Sequence, residues 1–330
     1  MRENVKSKCD LLIRNKELVE KEFKWELTLK VISAALIFTG ANREADVSRL
    51  TECRKLLKEN AGMFSSIRAE MEPVVVSKMA LSNDPQKYFE DLKIVYDKVS
   101  KGSVFSSGFQ VQAAICICEA GRINDADEII AKYKDLYKRM SKEHPMLTSS
   151  EDIVFAMLLV MTDKSVDTII SEMEECYDYL KKELKIKVGA NEIQGLGEVL
   201  ALSDGDMKEK SDRVVKLYNT FAEHKMKYGT SYHEFASLGS LIDIDVDTDE
   251  LVDEIIETAE YLKNGKGFGG WSMDKKQRLM FAAMLVGDSY EADKVLIDNA
   301  AVSSTVAMII AEEVAVMTCI MAATTAATTN

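Results

Sequence analysis

Apolar residues recur along the chain in two rhythms. In ADEIIAKYKDLYKRM the positions Ile129, Ile130, Tyr133, Leu136, Tyr137 and Met140 fall three and four apart, the spacing that lines one face of an α-helix. YFEDLKIVYDKV, VDTIISEMEECYDYL and DRVVKLYNTF follow the same rule. Denser apolar stretches alternate with them: QVQAAICICEA, DIVFAMLLVM, EIQGLGEVLAL, HEFASLGSL and KQRLMFAAMLVG. These predict helices buried on most sides. Small residues within them (Ala113, Ala114, Ala156, Gly195, Ala236, Ala282, Ala283) leave room for close neighbours.

The alternation is periodic. An apolar–Tyr pair recurs at Val95-Tyr96, Leu136-Tyr137, Cys176-Tyr177 and Leu217-Tyr218, with tyrosines 41, 40 and 41 residues apart. Trp25 and Trp271 stand at matching places in KWELTLKVISAALIFTG and GWSMDKKQRLMFAAMLVG. A period of this size predicts stacked supersecondary units. The expected fold is therefore all-α, a single helical-repeat (α/α) array over 1–330. It contains about eight two-helix units of roughly 41 residues, as an open solenoid or a closed toroid. The units fall near 1–41, 42–82, 83–121, 122–162, 163–204, 205–246, 247–287 and 288–330. Start signals support the second helices: Ser231 with Glu234 and Thr148 with Glu151 fit capping boxes, and Asn191 is a good N-cap. Pro73 should kink a helix or mark its true start.

Composition narrows the picture. Three prolines and 16 glycines in 330 residues are a poor supply of turn residues for a large all-β protein. Against 42 Lys+Arg stand 55 Asp+Glu, a net charge of −13, so nucleic acid is not the expected partner. Nine carboxylates and no base lie between Asp243 and Glu260. The N-terminal stretch has no apolar signal region, and the six cysteines (Cys9, Cys53, Cys116, Cys118, Cys176, Cys319) read as reduced thiols, so a cytoplasmic setting is expected. The Ala- and Thr-rich run after Glu312 and Glu313 is too weakly hydrophobic to span a bilayer, and no stable membrane insertion is expected.

Candidate chemistry is sparse. Asp243, Asp245, Asp247, Asp249 and Glu254 match positions 1, 3, 5, 7 and 12 of a calcium loop, but Thr248 stands where the sharp turn needs glycine. They remain a weak candidate cation site beside the plainer reading, a helix-capping turn. Gly265, Gly267 and Gly270 spell GxGxxG without the preceding strand that a dinucleotide site requires. The loop weakly resembles the glycine–aromatic loops of toroidal α/α enzymes such as terpene cyclases and prenyltransferases, whose DxDD or metal-ligand sets have no counterpart here. His144, His224 and His233 form no metal-binding or triad pattern and read as loop or cap residues. No catalytic residue and no cofactor is predicted. The tyrosine column (Tyr96, Tyr137, Tyr177, Tyr218) either packs between units or, with Phe268 and Trp271, lines a surface for a partner or ligand.

The EFKWE stretch near residue 22, the AALIFTG segment, the loop–helix cycle and the Ala-rich end with Glu312 and Glu313 together resemble an uncharacterised bacterial family. It is a domain-of-unknown-function family of mainly Firmicutes. The resemblance implies a cytoplasmic, all-helical bacterial protein and supplies no catalytic residues. The function expected from the residues is a scaffold binding a protein or peptide partner, and the 243–260 acids would favour a basic one. The alternative is an α/α-toroid enzyme or small-ligand receptor with a central cavity.

Overall fold

A computed structural model describes residues 1–63, 65–103, 107–270, 272–292 and 310. Among them the regular structure is helical, with no strand: α1 (Glu3–Glu22), α2 (Thr28–Gly40), α3 (Val47–Asn60), α4 (Ser66–Ala69), α5 (Glu72–Leu81), α6 (Pro85–Ser100), α7 (Gly108–Glu119), α8 (Ala126–Glu143), α9 (Ile153–Met161), α10 (Val166–Asp178), α11 (Ala190–Leu200), α12 (Met207–Glu223), α13 (Tyr232–Ser237), α14 (Thr248–Leu262) and α15 (Lys275–Ala292). The two rhythms of the sequence become two kinds of helix. α6, α10, α12 and α14 bury one face, whereas α2, α5, α7 and α9 are buried almost throughout. The first kind, with α8, begins at residues 85, 126, 166, 207 and 248.

Capping chemistry sets most of these starts. Asp46, Asp84, Ser165, Asp206 and Asp247 accept backbone N–H bonds at the heads of α3, α6, α10, α12 and α14. Reciprocal boxes open α7 (Ser107 with Gln110) and α13 (Ser231 with Glu234, as expected). The box before α9 is Ser149 with Asp152, one residue beyond the expected Thr148 and Glu151. Nor does Asn191 cap α11. Gly189 does, because the Glu192 carboxylate folds back into the space a Cβ would fill. Pro73 sits in the first turn of α5 and marks its start, where its missing N–H costs nothing.

The chain divides into two compact units. Of the described residues, the larger holds 1–9, 132–292 and 310, and the smaller holds 10–131. The expected last helix pair, 288–330, lies almost wholly outside the described residues, as does Cys319.

In the larger unit α9, α11, α13 and α15 pack in succession as an apolar layer. α10, α12 and α14 pack in succession beside it, α10 against α11 and α14 against α15. Lysines close the carbonyl ends of the apolar helices. Lys132 Nζ donates to the carbonyls of Val160, Thr162 and Lys164. Lys164 reaches those of Ala201 and Ser203, and Lys210 those of Leu200 and Ser203. Burial and the nearby Lys164 charge hold the Lys210 ammonium below the usual lysine range. The first turns of α1 belong to this unit too: Arg2 pairs with Glu254 at 3.0 Å and stacks on Tyr290, and Lys8 pairs with Asp288.

In the smaller unit α5 packs on α2, α3 and α6, and α7 on α6 and α4. Its polar centre is Arg54, bonded to Glu22 Oε1 at 3.1 Å and Glu72 Oε2 at 2.9 Å, with the guanidinium over the Phe23 ring. Cys9, Cys53, Cys116, Cys118 and Cys176 are free thiols. Burial pushes the Cys176 thiol up to about 11 and the Cys118 thiol up to about 12, so both are poor nucleophiles. Among the described residues no helix is long and apolar enough to cross a membrane.

Candidate functional site: a buried acid and tyrosine cluster

In the larger unit the heads of α9 and α13 and the middle and last turn of α11 bring polar side chains into the apolar layer. Asp152 and Glu198 are fully buried. Asp152 is the last residue of the capping box before α9, and its Oδ2 accepts from the Ser149 N–H at 2.6 Å. Gln194 and Glu198 lie one turn apart on α11 and face the same way. Gln194 Nε2 donates to Asp152 Oδ1 at 3.0 Å and approaches Glu198 Oε1 at 3.5 Å. From the head of α13 the Tyr232 hydroxyl lies 3.3 Å from Asp152 Oδ1 and 3.0 Å from Glu198 Oε2. One hydroxyl proton therefore serves two carboxyl groups.

Tyr232 gets this close because α11 carries glycine where the ring lies. A Cβ at Gly195 would overlap that ring. Phe155 and His233 flank the ring, with centroids 6.3 and 5.1 Å away. Tyr133 and Tyr137 stack on each other at 5.7 Å, and the Tyr137 hydroxyl donates to the Ser149 carbonyl at 2.8 Å. Tyr137, Glu151 and Asn191 are half-buried and mark the side facing solvent, where Asn191 Nδ2 reaches Glu151 Oε2 at 3.3 Å. Met146, in the same loop before α9, stands 96% exposed.

The electrostatics follow from burial and from the acids. Burial, then the charges of Asp152 and Glu198, push the Tyr137 phenol up to about 12. Burial raises the Tyr133 phenol further. Burial also lowers the His233 imidazole to about 4, an effect that Glu151, Glu234 and Asp152 only partly offset, so the ring is neutral at pH 7. Asp152 accepts from one backbone N–H, one amide and one hydroxyl, all neutral, and forms no ion pair among the described residues. Gln194 Oε1, on a side chain only 4% exposed, has no hydrogen-bond partner. The amide orientation is fixed, because its NH2 must face the carboxylates. Gln194 Oε1 thus keeps unused acceptor capacity beside the Asp152 carboxylate.

The residues singled out by sequence are scattered. Tyr96 is buried, Tyr177 packs on the His144 ring at 4.8 Å, and Tyr218 meets Phe235 edge-on at 5.8 Å. Of the column, only Tyr137 joins the cluster. Phe268 is fully buried, with its carbonyl bonded by Arg278, and Trp271 lies outside the described residues. Asp243 and Asp245 are exposed, Asp247 caps α14, and Glu254 is buried against Arg2. Asp249 and Asp253 flank His224, bonding Nε2 at 2.9 Å and Nδ1 at 2.8 Å, and the hydrogen bond to Asp249 raises the imidazole above its ordinary range. Among the described residues no three His, Cys, Asp or Glu side chains gather as metal ligands. Sequence reasoning passed over Asp152, Gln194, Glu198 and Tyr232. The available signal was Gln194 and Glu198 four apart in the otherwise apolar EIQGLGEVL.

Comparison with known proteins adds kinship without chemistry. A family model described as "Protein of unknown function (DUF4003)" matches residues 15–315. The "Uncharacterized protein YeaA" of Bacillus subtilis (strain 168) is 22% identical over 322 residues, covering 94% of this chain and 93% of that protein. No solved structure matches the chain.

Proposed function

The chain belongs to the DUF4003 family, and from the geometry of its buried cluster we propose that it is a binding protein for a positively charged partner. In this reading the helix pairs form a repeat array, and the cluster formed by the heads of α9 and α13 with Gln194 and Glu198 of α11 receives a lysine or arginine side chain of a protein or peptide. One observation carries it: Asp152, fully buried beside Glu198, is held by neutral donors only, with the unpartnered Gln194 Oε1 next to it. A cationic group would bring Asp152 a charged partner and Gln194 Oε1 a donor, and the tyrosines would flank its apolar stem. The acids at 243–260 contribute less, since Asp247, Asp249, Asp253 and Glu254 already have partners within the chain.

The experiment is calorimetric titration with lysine- and arginine-containing peptides, their acetylated or citrulline counterparts, and free amines. The charged peptides are expected to bind at least tenfold more tightly than the neutral ones. Asp152→Asn and Gln194→Leu should each weaken the charged peptides selectively. Equal binding of charged and neutral peptides, or no binding by any, would refute the reading. Tight binding of free amines alone would favour the second reading, an α/α-toroid enzyme or small-ligand receptor. The specific support for that reading is the neutral, buried His233 beside paired acids, a set suited to proton transfer.

A further inference from the structure

The smaller unit holds a cavity of about 300 Å³ between the end of α2, the head of α3 and the end of α5. Its walls include Phe38, Arg43, Arg49, Leu81, Ser82 and Asn83. One wall is a pinned turn. Asn42 takes φ +49°, and the Arg43 N–H returns to the Phe38 carbonyl at 2.9 Å. The fully buried Asn15 clamps the turn from below, donating to the Arg43 carbonyl at 3.0 Å and accepting from the Ala45 N–H at 2.8 Å. Arg43 is therefore presented from fixed backbone.

The charges at the cavity are unequally committed. Glu44 is paired with Arg14 at 2.8 Å. Asp46 is occupied by the N–H groups of Ser48 and Arg49 at the head of α3. The two arginines are not matched in this way. The Arg43 guanidinium has no ion pair or hydrogen bond among the described residues. Arg49 makes only long contacts, 3.4 Å to the Ser82 carbonyl and 3.9 Å to Glu52. Two planar guanidinium forks at one cavity, with a serine and an asparagine beside them, match the oxygens of a phosphate. The volume lies at the small end of ligand pockets, and Phe38 and Leu81 give an apolar wall for a short carbon group.

We propose that this cavity, with Arg43 and Arg49 as its anion-binding pair, binds a small phosphate monoester. It does so independently of the acidic, cation-binding cluster of the larger unit. The lining carries two arginines against two carboxylates, Glu44 and Asp46, so attraction for an anion rests on the two guanidinium groups and should weaken steeply as salt screens them.

The test is calorimetric titration of the full chain at low ionic strength with inorganic phosphate, glycerol phosphate and a phosphoserine peptide. Glycerol phosphate is expected to bind more tightly than inorganic phosphate, and Arg43→Gln and Arg49→Gln each to weaken it at least tenfold with an unchanged thermal melt. Asn83→Asp, which adds a negative charge at the rim without touching either arginine, should weaken it as well. Absence of phosphate binding, or equal binding by wild type and all three variants, would overturn the proposal. Tighter binding of the phosphoserine peptide than of glycerol phosphate would overturn the small-molecule assignment and make the ligand a modified protein.

Discussion

Glu72 and Asp152 occupy comparable places, each a buried acid at the head of an apolar helix, and the two units treat them oppositely. In the smaller unit Glu72 meets the guanidinium of Arg54, which also holds Glu22 and covers the Phe23 ring. In the larger unit Asp152 meets a backbone N–H, an amide and a hydroxyl. The helix head favours negative charge in both cases, through its free N–H groups and dipole. A matched charge makes the first acid part of the framework. Neutral donors leave the second with an attraction still to be satisfied, which is why we assign structure to one and binding to the other.

Breaking the matched pair should have the largest effect. Arg54→Ala leaves Glu72 buried without its main partner, and we expect a loss of about 3 kcal/mol in urea unfolding. Replacing Arg54 and Glu72 by methionine together with Glu22→Gln should recover most of that loss, since no stranded charge then remains. If the single and triple variants are equally destabilised, the contribution of Arg54 is packing and the contrast with Asp152 weakens.

The next effect is a pH dependence confined to the larger unit. Burial places the His233 imidazole near 4 in the folded chain against an ordinary 6.5. Below pH 6.5 the unfolded chain takes up a proton that the folded chain refuses, so stability falls as the pH drops towards 4 and levels off below it. The contribution is at most about 3 kcal/mol, and His233→Gln should remove that part of the slope in pH-dependent unfolding. An unchanged slope would show that the ring titrates freely.

The smallest effect belongs to the shared hydroxyl. Tyr232→Phe keeps the ring over Gly195 but removes a donor from two buried carboxyl groups, and about 1 to 2 kcal/mol should be lost. A neutral outcome in thermal or urea unfolding would mean that Asp152 and Glu198 find a replacement donor and do not depend on Tyr232.

The helices were legible because apolar spacing and capping residues are local. Asp84, Ser165, Asp206 and Asp247 stand just before their helices in the sequence as they do in space. The expectation failed where a local rule had two adjacent solutions. Ser149 with Asp152 prevails over Thr148 with Glu151, and Asp152 then turns inward to Gln194 and Tyr232. Gly189 prevails over Asn191 because a folded-back carboxylate needs the space, which no propensity records. The cluster itself joins positions 42 and 80 residues apart, so only packing assembles it. The arginine cavity is as invisible in sequence, since Arg43 and Arg49 become neighbours of Ser82 and Asn83 only once α2, α3 and α5 are in place.

The pairing of Arg2 with Glu254 has a consequence in time. The two residues are separated by 252 positions, so the ribosome makes the first long before the second. At about 5 to 20 residues per second, roughly 13 to 50 seconds pass before Glu254 is synthesised, and longer before Asp288 reaches Lys8. Throughout that interval the opening turns of α1 are without these partners. Of the larger unit's described residues, 1–9 are thus made first and wait longest for the contacts that hold them.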